Sequence, residues 1–353
     1  MNLNQILKEF NIEESVSRYG NGHINDTYLV SGKRYILQRI NTGIFKSPER
    51  LMQNIVSVTE FLKEKIKLSG GDTERETLTV IKTKSGEDFL RLGEDCYRVY
   101  PFIEGSRTIE KISNSRDLYY AGRGFGRFGK MLGDFPSEQL YETIPDFHNT
   151  PKRVSAFRAA AERDKLGRAK LCRAEIEAYL AEKEIACAVT SEIEKGTVAL
   201  RVTHNDTKIN NILFDEKSGE PLCVIDLDTV MPGSVLYDFG DALRFGASEA
   251  AEDECDLSKV KFSTEAFSAF AKGYLEEMCT VLTKKEIELL PISAAIMTYE
   301  CGIRFLTDYI DGDVYFKIHR ENHNLDRARN QLALFNDIMK KQPQLKSIIK
   351  ELV

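Results

Sequence analysis

The sequence predicts an α+β chain of two lobes, a small β-rich N-terminal lobe over residues 1–103 and a large, mostly helical C-terminal lobe over 104–353. Three observations predict it. Short β-like runs separated by turns fill the first hundred residues. Helical periodicity dominates everything after them. An island of short strands at 198–228 interrupts the helices. Strands first and helices second, joined by a short segment, suit an α+β arrangement better than an alternating one.

The elements follow in order. Leu3, Ile6, Leu7 and Phe10 have helical spacing. Val16 to Tyr19, Tyr28 to Val30 and Tyr35 to Ile40 read as strands of an antiparallel meander, broken at Gly20-Asn21-Gly22 and Ser31-Gly32. A helix opens at Ser47-Pro48-Glu49, with Ser47 as N-cap and Pro48 in the first turn. Its apolar stripe is Leu51, Ile55, Val58, Leu62 and Ile66. Residues 78–83 and 88–103 read as two further strands around a turn at Ser85-Gly86, and Tyr100 to Gly105 as the linker. Helices are expected over 116–132, 153–181, 185–195, 264–280, 284–311 and 325–352.

Bulk properties narrow the function classes. The chain has 353 residues, 42% hydrophobic and 29% charged, with a formal net charge of −6. That balance argues against a dedicated nucleic-acid binder, which would carry a basic face. No apolar run reaches the length of a membrane span, and the N-terminus lacks the apolar core of a signal peptide. Seven cysteines include no C-x-x-C pair, so structural zinc and a disulfide framework are not expected and a reduced, cytoplasmic location is.

The most informative stretch is 203–228. It holds His-x-Asp-x-x-x-x-Asn, formed by His204, Asp206 and Asn211, and then a hairpin and an apolar strand ending at Asp226. Transfer of a γ-phosphoryl group needs in-line positioning, a metal on the phosphate oxygens and an acceptor for the attacking hydroxyl's proton. Asp206 suits the acceptor, and Asn211 and Asp226 offer the oxygen ligands that Mg²⁺ prefers. Lys208 is placed to neutralise charge on the transferred group, and His204 belongs to the same catalytic stretch. Each part has a bland reading as a turn or strand end. Together, at this spacing, they point to phosphoryl transfer from ATP.

This stretch is similar to that of the aminoglycoside-phosphotransferase and choline-kinase superfamily, whose fold resembles that of protein kinases. Further segments resemble the N-acetylhexosamine 1-kinases: Tyr19 to Asn25, Tyr35 to Gln38, Asp164 to Ala169, Arg201 to Asn211, Ile225 to Gly233, Phe239 to Asp241, Arg244 to Ala247 and Glu300 to Gly302. The resemblance implies a bilobal kinase-like fold. It also implies ATP- and Mg²⁺-dependent phosphorylation of the anomeric hydroxyl of GlcNAc or GalNAc. The expected partners are the sugar and ATP, with no nucleic acid and no membrane, and the chain is expected to act as a monomer.

Other candidates are weighed against that core. Gly20, Gly22 and His23 form a Gly-rich turn whose backbone N–H groups suit phosphates, with His23 and Asn25 facing phosphate or sugar. The usual kinase lysine on the third strand is missing; Gln38 stands there, as a phosphate donor or as an ordinary strand polar residue. The helix after it lacks an acid on its apolar face. Lys208 and the Gly20–Asn25 loop are therefore expected to carry more of the phosphate charge. Gly124-Phe125-Gly126-Arg127-Phe128-Gly129 matches a dinucleotide fingerprint but continues a helical stripe, so it reads as close helix packing. Asp238 mimics Asp-Phe-Gly yet follows the metal strand, and reads as a brace of the catalytic loop or a helix cap.

For the sugar, Arg244, Phe245, Tyr299, Glu300, Arg304 and Tyr315 are candidates, with Glu300 and Arg304 one turn apart on a helix. Three readings stay open beside the sugar 1-kinase. One is a kinase of the same fold acting on homoserine, choline, methylthioribose or an aminoglycoside. Another is a non-catalytic nucleotide-binding module. The third is a metal-dependent glycosyltransferase using Asp226-Leu227-Asp228.

Overall fold

The computed structural model describes residues 2–20, 24–109, 112 and 114–353. Gly22 and His23 lie outside the described residues. The first elements are α1 (Leu3–Lys8), β1 (Val16–Arg18), β2 (Asp26–Val30), β3 (Tyr35–Ile40) and α2 (Pro48–Leu68). β4 (Leu90–Leu92), β5 (Asp95–Pro101) and β6 (Ser106–Arg107) follow. The helical part holds α3 (Ser115–Met131), α4 (Thr150–Arg163), α5 (Arg173–Ala181) and α6 (Thr190–Glu194). Next come β7 (Arg201–Thr203), β8 (Ile212–Asp215), β9 (Pro221–Val224) and β10 (Met231–Gly233). The chain closes with α7 (Val235–Gly246), α8 (Thr264–Met278), α9 (Lys284–Asp311) and α10 (His323–Leu352).

Two compact units are present. The first combines Met1–Ile109, Met131–Pro145 and Asn210–Pro232; the second combines Glu110–Lys130, Asp146–Ile209 and Gly233–Val353. They are therefore not the contiguous segments 1–103 and 104–353. Long-range pairing is the reason. The hairpin β8–β9 pairs with β6, Arg107 opposite Phe214, which carries 210–232 into the first unit. Asn54, Phe61 and Lys65 of α2 engage Tyr141, Phe135 and Asp134, which carries 131–145 there.

In the first unit, five antiparallel strands run in the order β1-β2-β3-β5-β4. Gln38 of β3 stands opposite Arg98 of β5. α1 buries Ile6 and Leu7, and the residue Phe10 just beyond it, in one cluster with Val30, Leu37 and Val99 of this sheet. α2 starts at Pro48 and buries the whole stripe Leu51, Ile55, Val58, Leu62 and Ile66. The expected strand at 78–83 is reduced to one bridge, Ile81 to Val99; the turn at Ser85-Gly86 is present, with the Gly86 N–H bonded to Thr83 O at 2.9 Å, and the expected strand 88–103 is divided into β4 and β5 at Gly93.

In the second unit, α9 packs against α10, α7 and α4. It runs over the expected residues because both ends are specified. Thr283 and Glu286 form a capping box, and Gly312 ends the helix at φ +107°. By length and composition α9 could cross a membrane, but most of it is buried within the protein. The expected helix 153–181 is two helices. Asp164 and Gly167 are left-handed, and Arg168 bonds Tyr309 O and Asp313, which holds the break in place. The segment 185–195 is a tight 3-10 turn followed by the short α6. Gly122 and Gly126 of α3 lie on α8, where a Cβ would come within 2.2 Å of Phe270 O and 2.9 Å of Tyr274 O respectively. The glycine-rich run is thus a helix-packing surface.

Candidate active site

In the second unit, β7 leads into the loop His204–Lys208. Asp238, in the first turn of α7, organises that loop. Its carboxylate accepts the backbone N–H of His204 at 2.8 Å and of Asn205 at 2.7 Å. Its carbonyl oxygen accepts the Thr207 hydroxyl at 2.6 Å. Asn205 stands at φ +64°, a left-handed backbone that Asn tolerates better than most residues. His204 is buried, edge-on to Phe125 and Phe128, and its Nδ1 accepts the Asp206 N–H at 3.3 Å. His204 therefore shapes the loop from beneath.

The Asp206 side chain is 24% exposed, and its Oδ1 lies 3.0 Å from Lys208 Nζ. Burial raises the Asp206 pKa, but the Lys208 ammonium outweighs it and holds the carboxyl below the ordinary value. The Lys208 pKa is raised, chiefly by Asp206. An ionised carboxylate with a cation beside it can accept a hydroxyl proton next to a site of developing negative charge.

The same unit carries most of the sugar candidates. Glu300 is 1% exposed, and both of its oxygens are engaged, by His148 Nδ1 at 2.8 Å and by Thr150 Oγ1 at 2.6 Å. His148 Nε2 reaches Asn205 O at 3.1 Å, so Glu300 supports the catalytic loop through His148. Burial lowers the His148 pKa and raises that of Glu300. Each partner outweighs this for the other, leaving His148 raised and Glu300 lowered.

One turn beyond Glu300, Arg304 lies over the rings of Phe147, Tyr315 and Phe316, 5.5–5.9 Å from their centroids. Asp308 fixes the Tyr315 segment by accepting the N–H groups of Val314, Tyr315 and Phe316. Burial and then Arg304 lower the pKa of Arg153. Phe245 is exposed at the end of α7. Its neighbour Arg244 is held by Asp241 and Glu252.

The first unit carries Asn211 and Asp226. Ile225 donates its N–H to Asn211 O at 2.9 Å, which fixes the start of β8 beside the end of β9. Asp226, an exposed residue, leaves that strand left-handed, at φ 60° and ψ 54°. Among the described residues no three His, Cys, Asp or Glu side chains gather into a group able to hold a metal. One carboxylate and one amide, completed by water and phosphate oxygens, is a donor set that fits Mg²⁺.

Asp228 is committed elsewhere, to Arg98 at 2.5 Å and to Asn25 Nδ2 at 2.6 Å. Gln38 is engaged within the sheet: its Oε1 accepts from Arg98 Nε and Nη2, and its Nε2 donates to Thr27. Gly20 is left-handed, at φ +70°.

Sequence reading missed His148, Arg98, Asn54 and Asp228 as organising residues. A signal existed for two of them. Arg98 is a charged residue inside the apolar run Cys96 to Tyr100, and Asn54 interrupts the α2 stripe. A charge or amide in such a setting needs a buried partner. Nothing local marks His148.

The family model described as "phosphotransferase enzyme family" matches residues 15–270. Among solved structures, an aminoglycoside phosphotransferase from Alicyclobacillus acidocaldarius aligns with a TM-score of 0.67 at 12% identity, over 99% of this chain and 97% of the other. A spectinomycin phosphotransferase, solved with ADP and spectinomycin, aligns at 0.58 and 14% identity, over 97% and 98%. A choline kinase from Cryptosporidium parvum aligns at 0.54 and 14%, over 96% and 91%. These likenesses show a shared protein-kinase-like fold, and the family match carries the chemistry. The chain belongs to the phosphotransferase enzyme family and is a phosphotransferase.

Proposed function

We propose that the protein uses ATP and Mg²⁺ to phosphorylate the C1 hydroxyl of an N-acetylhexosamine, GlcNAc or GalNAc, giving the sugar 1-phosphate. Asp206 takes the proton of the attacking hydroxyl, and Lys208 keeps Asp206 ionised and lies beside the developing phosphoryl charge. Asn211 and Asp226 would hold Mg²⁺, which supplies charge neutralisation on the phosphate oxygens. The solved relative holding ADP supports ATP as donor.

One observation carries the choice of acceptor class. The group one helical turn from Glu300 is the cation Arg304 among Phe147, Tyr315 and Phe316, with Arg153 close enough to feel its charge. Two guanidiniums repel an amine or a quaternary ammonium. The buried carboxylates nearby are already engaged, Glu300 by His148 and Thr150, and Asp308 by the N–H groups of Val314, Tyr315 and Phe316. Hydroxyl and carbonyl oxygens on an apolar ring face suit such a setting, and a neutral N-acetylated sugar offers both. The segments quoted above that resemble N-acetylhexosamine 1-kinases support the finer choice.

ADP release measured across GlcNAc, GalNAc, choline, ethanolamine, homoserine, methylthioribose and an aminoglycoside tests the reading. N-acetylhexosamines should give the highest kcat/KM, with ³¹P NMR placing the phosphate at C1. A faster amine acceptor, or phosphate at C6, would overturn it.

A further inference from the structure

We infer that Arg98 and Asp228 form an electrostatic latch that positions Asp226, in place of the strand lysine and helix glutamate that protein kinases use. The inference rests on Asp226 being a Mg²⁺ ligand, as proposed above.

The strand β3 carries Gln38 where that lysine is expected, and β5 supplies a cation directly opposite it. Arg98 is 1% exposed. Gln38 Oε1 accepts from its Nε and Nη2 at 3.0 and 2.8 Å, and the Tyr100 ring lies 5.3 Å from the guanidinium carbon. A guanidinium oriented this firmly has its Nη2 2.5 Å from Asp228 Oδ1. The second Asp228 oxygen accepts from Asn25 Nδ2, and Asn25 Oδ1 in turn accepts the Asn41 N–H at 2.9 Å. Asp228 therefore has one oxygen in an ion pair with Arg98 and the other in a hydrogen bond with Asn25. Asp226, two residues earlier, is an exposed residue.

The helix makes no acidic contribution to this network. α2 presents buried Asn54, whose Nδ2 donates to Val230 O at 2.9 Å and to Tyr141 O at 2.7 Å. The turn 226–230 is thus pinned at Asp228 by Arg98 and Asn25, and at Val230 by Asn54. Between Val224 of β9 and Asp228, Asp226 holds a left-handed backbone that a non-glycine residue keeps only when its surroundings enforce it. Arg98 also neutralises Asp228, so Asp226 does not stand two residues from an uncompensated buried carboxylate. Arg98 acts on the metal through Asp228 and is a positioning residue.

The chain has no tryptophan, so a fluorescent N-methylanthraniloyl ADP reports binding without interference. Its affinity is measured in EDTA and then across a Mg²⁺ titration, for wild type, Arg98→Gln, Arg98→Lys, Asp228→Asn and Asp226→Asn. In Arg98→Gln, metal-free affinity should stay within about twofold while the Mg²⁺ needed for half-maximal tightening rises about 10–100-fold, the range for loss of a supporting partner behind a metal ligand. Arg98→Lys should recover part of that loss. If Arg98→Gln does not fold, Asp228→Asn and the double variant Arg98→Gln/Asp228→Asn read the same pair. The double variant should be no worse than either single one.

Unchanged Mg²⁺ dependence in folded Arg98→Gln or Asp228→Asn, with Asp226→Asn unresponsive to Mg²⁺, overturns the latch alone. Loss of metal-free ADP binding in Arg98→Gln also overturns it, because Arg98 would then be a phosphate ligand. A wild-type Mg²⁺ response retained in Asp226→Asn overturns the metal assignment and the latch with it.

Discussion

The Asp238 carboxylate receives the Asn205 backbone N–H at 2.7 Å, and that bond helps hold Asn205 in a left-handed conformation immediately before Asp206. The other Asp238 oxygen takes the His204 N–H. Two charge-assisted bonds to consecutive amides set the direction in which the loop presents Asp206. An amide at 238 can accept on one side only. Asp238→Asn should lower kcat about 100-fold, the scale of a small misplacement at a reacting group, with KM for ATP little changed. Steady-state kinetics on the folded variant checks it; wild-type kcat would remove Asp238 from the catalytic loop's support.

Asp206→Asn should lower kcat by about 10²–10⁴-fold, the usual contribution of a positioned general base. Nucleotide binding should persist. The pH profile gives a second view. The Asp206 pKa is depressed, so its ionised form survives as pH falls through the ordinary carboxylate range, and the acid limb of kcat/KM lies below that range. Lys208→Met removes the lowering charge and should move the limb to higher pH. An unmoved limb would show that another group titrates there.

Glu300 and His148 make a pH-dependent contribution to stability. The His148 pKa is raised, so its share is full below about pH 6.5 and fades as pH rises through the folded value. The Glu300 pKa is lowered, so its share is present above about pH 4.3 and fades as pH falls through the folded value. The pair therefore contributes most between about pH 4.3 and 6.5. Glu300→Gln should cost about 3–5 kcal/mol in that window, because one partner of a buried pair is removed, and less at pH 9. Urea unfolding at pH 6 and pH 9 measures the difference; an equal cost at both would exclude the charged pair.

Gly126→Ala should destabilise the second unit by about 1–3 kcal/mol, since its Cβ would meet Tyr274 O at 2.9 Å and crowd α3 against α8. ADP affinity of the folded fraction should match wild type. Lost ADP affinity without lost stability would instead make this glycine run a nucleotide site.

Local pattern by itself determined much of this protein. Period-2 and period-3.6 spacing, with caps such as Thr283–Glu286 and Gly312, gave most strands and the long helices, because those signals are written within a few residues of one another. The spacing of His204, Asp206, Asn211 and Asp226 pointed to the phosphotransferase chemistry that the family match shows, because few residue types offer such groups in that order. Tertiary structure decided the rest. It alone paired β8 with β6 across more than a hundred residues of chain, joined His148 to Glu300, and brought Arg98 to Asp228. Those partners lie far apart in sequence, and what unites them is burial: a charge withdrawn from water must find its counterion in space, wherever the chain happens to supply it.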